Sequence, residues 1–242
     1  MGLSWAFCVS ERSGELFGEG AADGHTPQEA WDDLAEGNLR FMTDTLLHPQ
    51  QNAARRNELS RSQAPNAAFL GCSDSRVAAE ILFDCGLGDL FVVRNIGQIA
   101  NTNTTATMEF AVAELGVAVI VVLAHCSCGA VAAAINQSSR EPAETSPAIK
   151  RELEQIQPSV QQEWLSEHRE TPYVDPDRID ADAVGRRHLA MTINDLMRNS
   201  PIISDAVAAG ELGIVGCQYQ LEEGRVAPIT AVGKLDIKHT GV

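Results

Sequence analysis

The chain has 242 residues, 44% of them apolar and 21% charged, and its 33 acidic side chains outnumber 18 basic ones for a net charge of −15. That length supports one substantial core and is short for two full domains. The charge excludes the basic face that nucleic acid requires and the attraction an anionic membrane exerts. Six cysteines are too few for a disulfide scaffold in a chain this long. Leu3 to Val9 is apolar but has no basic residue before it, and no stretch is long enough to span a bilayer. The expectation is a cytoplasmic protein with neither membrane nor nucleic acid as partner.

Residues 1 to 25 are rich in Gly, Ser and Glu without periodicity and read as a loose arm, with Trp5 and Phe7 as anchors. Thr26-Pro27 opens a helix, Thr26 as cap and Pro27 in its first turn. Its apolar face runs Ala30, Trp31, Leu34, Leu39, Phe41, Met42. A second helix is predicted from Ala53 to Ser62. Ala67 to Gly71 is a short buried strand, Val77 to Phe83 a helical turn, Leu90 to Arg94 a second strand. Thr104 to Leu115 is a helix with Met108, Ala111, Val112 and Leu115 on one face. Val117 to Ala124 is an unbroken apolar, β-branched run, as expected of a parallel strand covered on both faces. Cys128-Gly129-Ala130 enters the next helix. Thr145 to Arg169 and Asp177 to Arg198 read as helices separated by the acidic link Thr171 to Asp177. Leu212 to Val215 and Val226 to Val232 close the chain as strands, joined by a turn at Glu222-Glu223-Gly224.

Strand–helix alternation predicts an α/β fold: a central, mostly parallel sheet flanked by helices, with a helical arm at the N-terminus and one domain over residues 26 to 242. Ligands on such sheets collect at the carboxyl ends of strands. Cys72 follows the first predicted strand and His125 the third. Cys72-Ser-Asp74-Ser-Arg76 and His125-x-x-Cys128 then supply two thiolates and an imidazole, a donor set that suits zinc. Three protein ligands leave a tetrahedral zinc with one open position, the arrangement of a catalytic site. Thiolates offset the charge of the metal, so a water molecule there ionises less readily than with three imidazoles. Asp74 is placed to accept a hydrogen bond from that water, and the two-pronged guanidinium of Arg76 to hold Asp74 ionised and aimed. Asp74 is also a candidate fourth ligand in an inactive low-pH form, which predicts activity rising steeply above pH ~7. Cys126 is the rival ligand, but adjacent residues do not easily aim at one metal. Cys85 and Cys217 lie in apolar runs and read as core thiols. His25, His48, His168, His188 and His239 have no marking spacing and read as solvated or locally bonded.

These motifs resemble the β-class carbonic anhydrases over nearly the whole stretch from Thr26 to Gly233: EGNLRF, FLGCSDSRVAAE, GLGDLFVVRNIGQ, EFAV, VVLAHCSCGAV and GIVGCQYQLEEGRV. The resemblance implies a lyase that reversibly hydrates CO2 to bicarbonate and a proton. It implies one zinc per chain on Cys72, His125 and Cys128, and zinc-bound hydroxide oriented by the Asp74–Arg76 pair. It implies that Gln63 donates to bicarbonate, that Val77, Phe91 and Ile96 wall a CO2 pocket, and that Gly129 lets the helix start approach the metal. It also implies a dimer or tetramer with active sites at the dimer interface, Gln63 and Phe91 coming from the partner chain. Three departures stand out. Phe110 occupies the position of a pocket tyrosine in plant-type members. Phe69 replaces the tryptophan of the bicarbonate-inhibited bacterial subgroup. The segment before Thr26 has no obvious counterpart. A hydrolase of carbon disulfide or carbonyl sulfide on the same scaffold, and a non-enzymatic zinc module, are the alternatives. No GxGxxG or GxxxxGK[ST] string follows a strand, which disfavours a nucleotide-binding protein.

Overall fold

The computed structural model describes residues 25–237. The expected arm lies outside the described residues except for His25, as do Cys8 and His239. Five strands, β1 (Ala67–Cys72), β2 (Leu90–Asn95), β3 (Val119–His125), β4 (Gly213–Gln220) and β5 (Arg225–Val232), form one sheet in the order β2-β1-β3-β4-β5. All neighbours are parallel except β4 and β5, which form an antiparallel hairpin. The sheet is therefore mostly parallel, as expected. From β1 the chain crosses to β2 on one side and later places β3 on the other. The crevice at the carboxyl ends of β1 and β3 is thus a topological switch point, where α/β sheets bind ligands.

Every residue of β1 and β3 is buried, because helices cover both faces. The pleat still sorts them by alternation. Phe69, Val121 and Leu123 pack on one face with Ala30, Trp31 and Leu34 of helix α1 (Pro27–Met42). Leu70, Ile120 and Val122 pack on the other, against Met108 and Ala111 of α4 (Thr102–Ala113), Leu189 and Ile193 of α8 (Ala181–Asn199) and Ile203 of α9 (Pro201–Ala209). Each such side chain contributes about 1.5–3 kcal/mol by leaving water.

Helix α1 starts where Thr26 and Glu29 exchange reciprocal capping bonds. Its expected apolar face needs one correction: Leu39 is 54% exposed. Gly37 and Asn38 face inward instead. A Cβ on Gly37 would lie 1.8 Å from the Phe83 carbonyl oxygen, so only glycine permits the approach. Asn38 donates to the carbonyls of Leu82 and Gly224 and accepts from the Val226 amide. Polar satisfaction, not hydrophobicity, decides that turn.

Other boundaries also differ. Helix α2 covers only Ala53–Glu58, capped by Asn52, and has no buried residue to extend it. The turn after Val77 is the short helix α3 (Ala79–Leu82). Helix α5 (Gly129–Gln137) begins directly after Cys128. The helix expected over Thr145 to Arg169 is two, α6 (Pro147–Leu153) and α7 (Gln157–Glu167), because Ile156 turns into the core and Pro158 starts a new first turn. Helix α8 starts after its cap Asp180 rather than at Asp177. Ser200 caps α9, which the sequence pattern did not reveal. Strand β4 runs five residues past its expected end to Gln220.

The link between α1 and the β2 side of the sheet is ionic. Asp84 accepts from Arg40 Nε at 2.7 Å and from the amides of Leu47 and His48 at 2.9 and 3.0 Å. Burial opposes its charge, but Arg40 and the two amides outweigh burial and hold the carboxyl below its usual range. Arg40 keeps partial exposure, so Asp84→Asn should cost about 2–3 kcal/mol rather than the full penalty of a buried orphan charge. A depressed carboxyl contributes stability above its unfolded value of about 4 and loses it as pH falls further. The deficit of the variant in urea unfolding should therefore be full at pH 7 and shrink below about pH 4. A deficit equal at pH 7 and pH 2.5 would assign it to packing instead.

Candidate active site

Strand β1 delivers Cys72 and the adjacent strand β3 delivers His125 to the same crevice. Cys128 comes from the turn after β3, where Ser127 takes a left-handed φ of 52° and Cys128 becomes the cap of α5. The ligand atoms of the three residues lie within 4.8 Å of one another, and all three residues are buried. His125 Nδ1 sits 2.9 Å from the Cys126 carbonyl oxygen, so Nδ1–H donates and Nε2 carries the lone pair. That Nε2 is buried and has no hydrogen-bond partner.

The neighbouring Cys128 thiol, above all, holds the Cys72 thiol below its usual range, against the opposing effect of burial. The backbone amides of Gly97 and Asp74 add to that stabilisation. The same pairing, followed by burial, pushes Cys128 far up, while the first-turn amides of Ala130 and Val131 work the other way. Two buried sulfurs beside an imidazole nitrogen that has no hydrogen-bond partner form a site that a dication completes: it displaces the thiol protons and satisfies Nε2. Two sulfurs and one nitrogen fit zinc.

Asp74 lies at the rim. Its carboxylate folds back on the chain, accepting from the Arg76 amide at 3.0 Å, from Arg76 Nε at 2.8 Å and from Nη2 at 2.7 Å. Asp is suited to this turn because its short side chain reaches the amide two residues on. The guanidinium, above all, holds the Asp74 carboxyl well below the usual carboxylate range. Asp74 Oδ2 is 3.9 Å from His125 Nε2. Arg76 Nη2 also donates to the Ser127 carbonyl at 3.3 Å, tying the Cys72 turn to the Cys128 turn.

Cys126 turns away from the ligands, its sulfur accepting from the Leu221 amide at 3.3 Å. Cys217 is a buried core thiol and Cys85 is half-buried. Ile96 is half-buried against the cluster that contains Cys72 and Cys128. Val77 is fully buried in the cluster under α1. Phe91 is half-buried on the edge strand β2 and stacks on Phe110 at 6.1 Å between ring centroids. Gln63 is exposed and lines a surface cavity with Arg56, Leu59 and Leu87, which none of the ligand residues lines. A Cβ on Gly129 would meet no atom within 4 Å, so no protein neighbour requires glycine there. Sequence reasoning missed Arg94, whose guanidinium donates to the carbonyls of Cys72 at 2.9 Å and Asp74 at 2.6 Å. Its place near the end of a strand that neighbours β1 was the available signal. His188, expected to be solvated or locally bonded, is 3% exposed and bonds Gly97, 91 residues away in the chain.

Residues 67–226 match the carbonic anhydrase family model. The chain belongs to the β-carbonic anhydrase family. Carbonic anhydrase 2 of Mycobacterium tuberculosis is 39% identical over 212 residues, covering 86% of this chain and 96% of its own. The carbonic anhydrase of Mycolicibacterium smegmatis is 40% identical over 204 residues, covering 83% and 92%. A β-carbonic anhydrase structure from Sordaria macrospora, one of two described as tetrameric, superposes with a TM-score of 0.61 at 27% identity over 73% of this chain and 87% of its own. Membership in the carbonic anhydrase family makes this chain a lyase, with reversible hydration of CO2 as the family reaction. The Cys72–His125–Cys128 group is consistent with the zinc on which β-carbonic anhydrases depend. No helix among the described residues is long and apolar enough to cross a membrane.

Proposed function

We propose that this chain hydrates CO2 to bicarbonate on one zinc per chain, held by Cys72, His125 and Cys128, with Asp74 and Arg76 as the catalytic pair. The observation that carries the reading is the buried, unpartnered His125 Nε2 within reach of two sulfurs and 3.9 Å from the Asp74 carboxylate. Zinc bound there supplies the Lewis acidity that makes a water molecule nucleophilic near neutral pH. The residues of this chain do the rest. Asp74 stays ionised because Arg76 grips both of its oxygens, so it accepts a hydrogen bond from the attacking water and points the oxygen lone pair at the CO2 carbon. Arg76 positions that carboxylate instead of touching substrate. Ile96, packed against the ligand cluster, supplies apolar surface there, Val77 lies buried behind Asp74, whose carbonyl its amide holds at 3.0 Å, and Phe91 and Gln63 complete the pocket from a partner chain. Gly129 belongs to the same substrate face.

Residues 26 to 242 form one domain after a loose arm, and the chain self-associates as a dimer or tetramer in the cytoplasm. In this reading Asp74 rests on Arg76 and reaches the metal only in an inactive form. Stopped-flow CO2 hydration by the zinc-loaded protein from about pH 6.5 to 9 tests the function. Fast turnover rising with pH is the expected result. One zinc per chain with no turnover at any pH would move the assignment to another substrate or to a zinc module.

A further inference from the structure

Gly97 and Gln98 form a left-handed turn directly behind the ligand cluster. Both have positive φ, 79° and 46°, and the second is not a glycine. The turn packs tightly: a Cβ on Gly97 would lie 2.8 Å from Ile156 Cδ1 and 3.1 Å from the Ala130 Cβ. Ala130 is two residues from Cys128, and Ile96 and Ile99, which flank the turn, pack in one cluster with Cys72 and Cys128. Asn95 closes the turn, donating to the Ile99 carbonyl and accepting from the Ile99 amide, both at 2.8 Å.

Helix α8 supplies the remaining support through two residues four apart on one face. His188 Nε2 lies 2.8 Å from the Gly97 carbonyl oxygen, and Thr192 Oγ1 shares its one proton between the His188 carbonyl at 3.0 Å and the Gln98 carbonyl at 3.3 Å. A carbonyl only accepts, so Nε2–H is the donor and the imidazole is the neutral Nε2–H tautomer. Its Nδ1 is buried without a partner, which fits a neutral ring. Without these donors two consecutive buried carbonyls, in a conformation a glutamine side chain disfavours, would lose their partners. The turn would then be free to shift against Ala130 and the ligand cluster that it packs on.

Resting on the zinc reading above, we propose that His188 is a positioning residue of the metal centre: by holding the Gly97 carbonyl it fixes the turn that backs Cys72 and Cys128, and so sets how firmly the metal is retained. Outer partners of metal ligands are worth about 10–100-fold in metal affinity, which sets the scale of the effect.

The test compares His188→Phe, which fills the space without a donor, with His188→Gln, whose amide nitrogen can reach the carbonyl. Zinc transfer to a chromogenic chelator and the thiolate-to-cobalt charge-transfer absorption of the cobalt(II)-substituted protein are the readouts. His188→Phe should release zinc about tenfold faster and shift the charge-transfer band. His188→Gln should stay within about threefold of the parent chain and keep its band. Should His188→Phe not fold, Thr192→Val is the second probe, with faster release expected in the same direction. The proposal is overturned if His188→Phe matches the parent chain in both readouts. It is equally overturned if Gln and Phe are impaired alike, since that is a packing effect. A parent chain that binds no zinc would overturn the zinc reading itself, and this inference with it. A parent chain with one zinc per chain and an unaffected variant set would overturn this inference alone.

Discussion

Cys128→Ser should leave the chain unable to keep zinc through gel filtration, with CO2 hydration at the uncatalysed rate. The site has three candidate protein ligands among the described residues, so losing one leaves two. A serine hydroxyl does not ionise near neutral pH and is a harder donor than a thiolate. The fold should survive. The ligands sit at strand ends, outside the two apolar clusters that cover the faces of the sheet. Far-UV circular dichroism should therefore match the parent chain while metal analysis reads near zero. Full zinc content in Cys128→Ser would remove Cys128 from the ligand set, and Cys126 would become the residue to replace next.

Asp74→Asn should keep zinc at one per chain and lower kcat/KM by about 100-fold or more, the weight of a group that aims the attacking oxygen. The amide has nearly the shape of the carboxylate but no charge, so it accepts a hydrogen bond from the attacking water poorly. Because Arg76 holds the Asp74 carboxyl well below its usual range, Asp74 is ionised throughout about pH 6.5 to 9. The loss is therefore read at the alkaline end of that range, where the inactive form does not compete. An Asp74→Asn enzyme with full activity at alkaline pH would end the catalytic role. Arg76→Ala should be milder, about 10- to 100-fold, because it removes aim rather than the acceptor. The change leaves the Asp74 carboxylate without its guanidinium, but the backbone amide of residue 76, from which Asp74 also accepts, survives it. Zinc loss in Arg76→Ala would make the residue structural.

Composition alone marked the strands that carry the ligands. An apolar, β-branched run such as Val119–Leu123 can satisfy its surroundings only as a strand covered on both faces, so its carboxyl end, and His125 with it, was legible. The Asp74–Arg76 pair was legible because both partners of the bond lie within one turn of chain. Local chemistry likewise marked Thr26 as a cap. What the sequence misplaced depends on contacts made across the chain. Leu39 looks like core by period and is exposed, while Asn38 is buried because three backbone groups from distant segments need it. The break between α6 and α7 follows from where Ile156 finds its pocket beside Gly97. His188 carried no signal at all in its own neighbourhood. Only the packing of α8 against the turn after β2 gives its Nε2 a carbonyl to hold, and a hydrogen bond spanning 91 residues has no periodicity or spacing by which to be read.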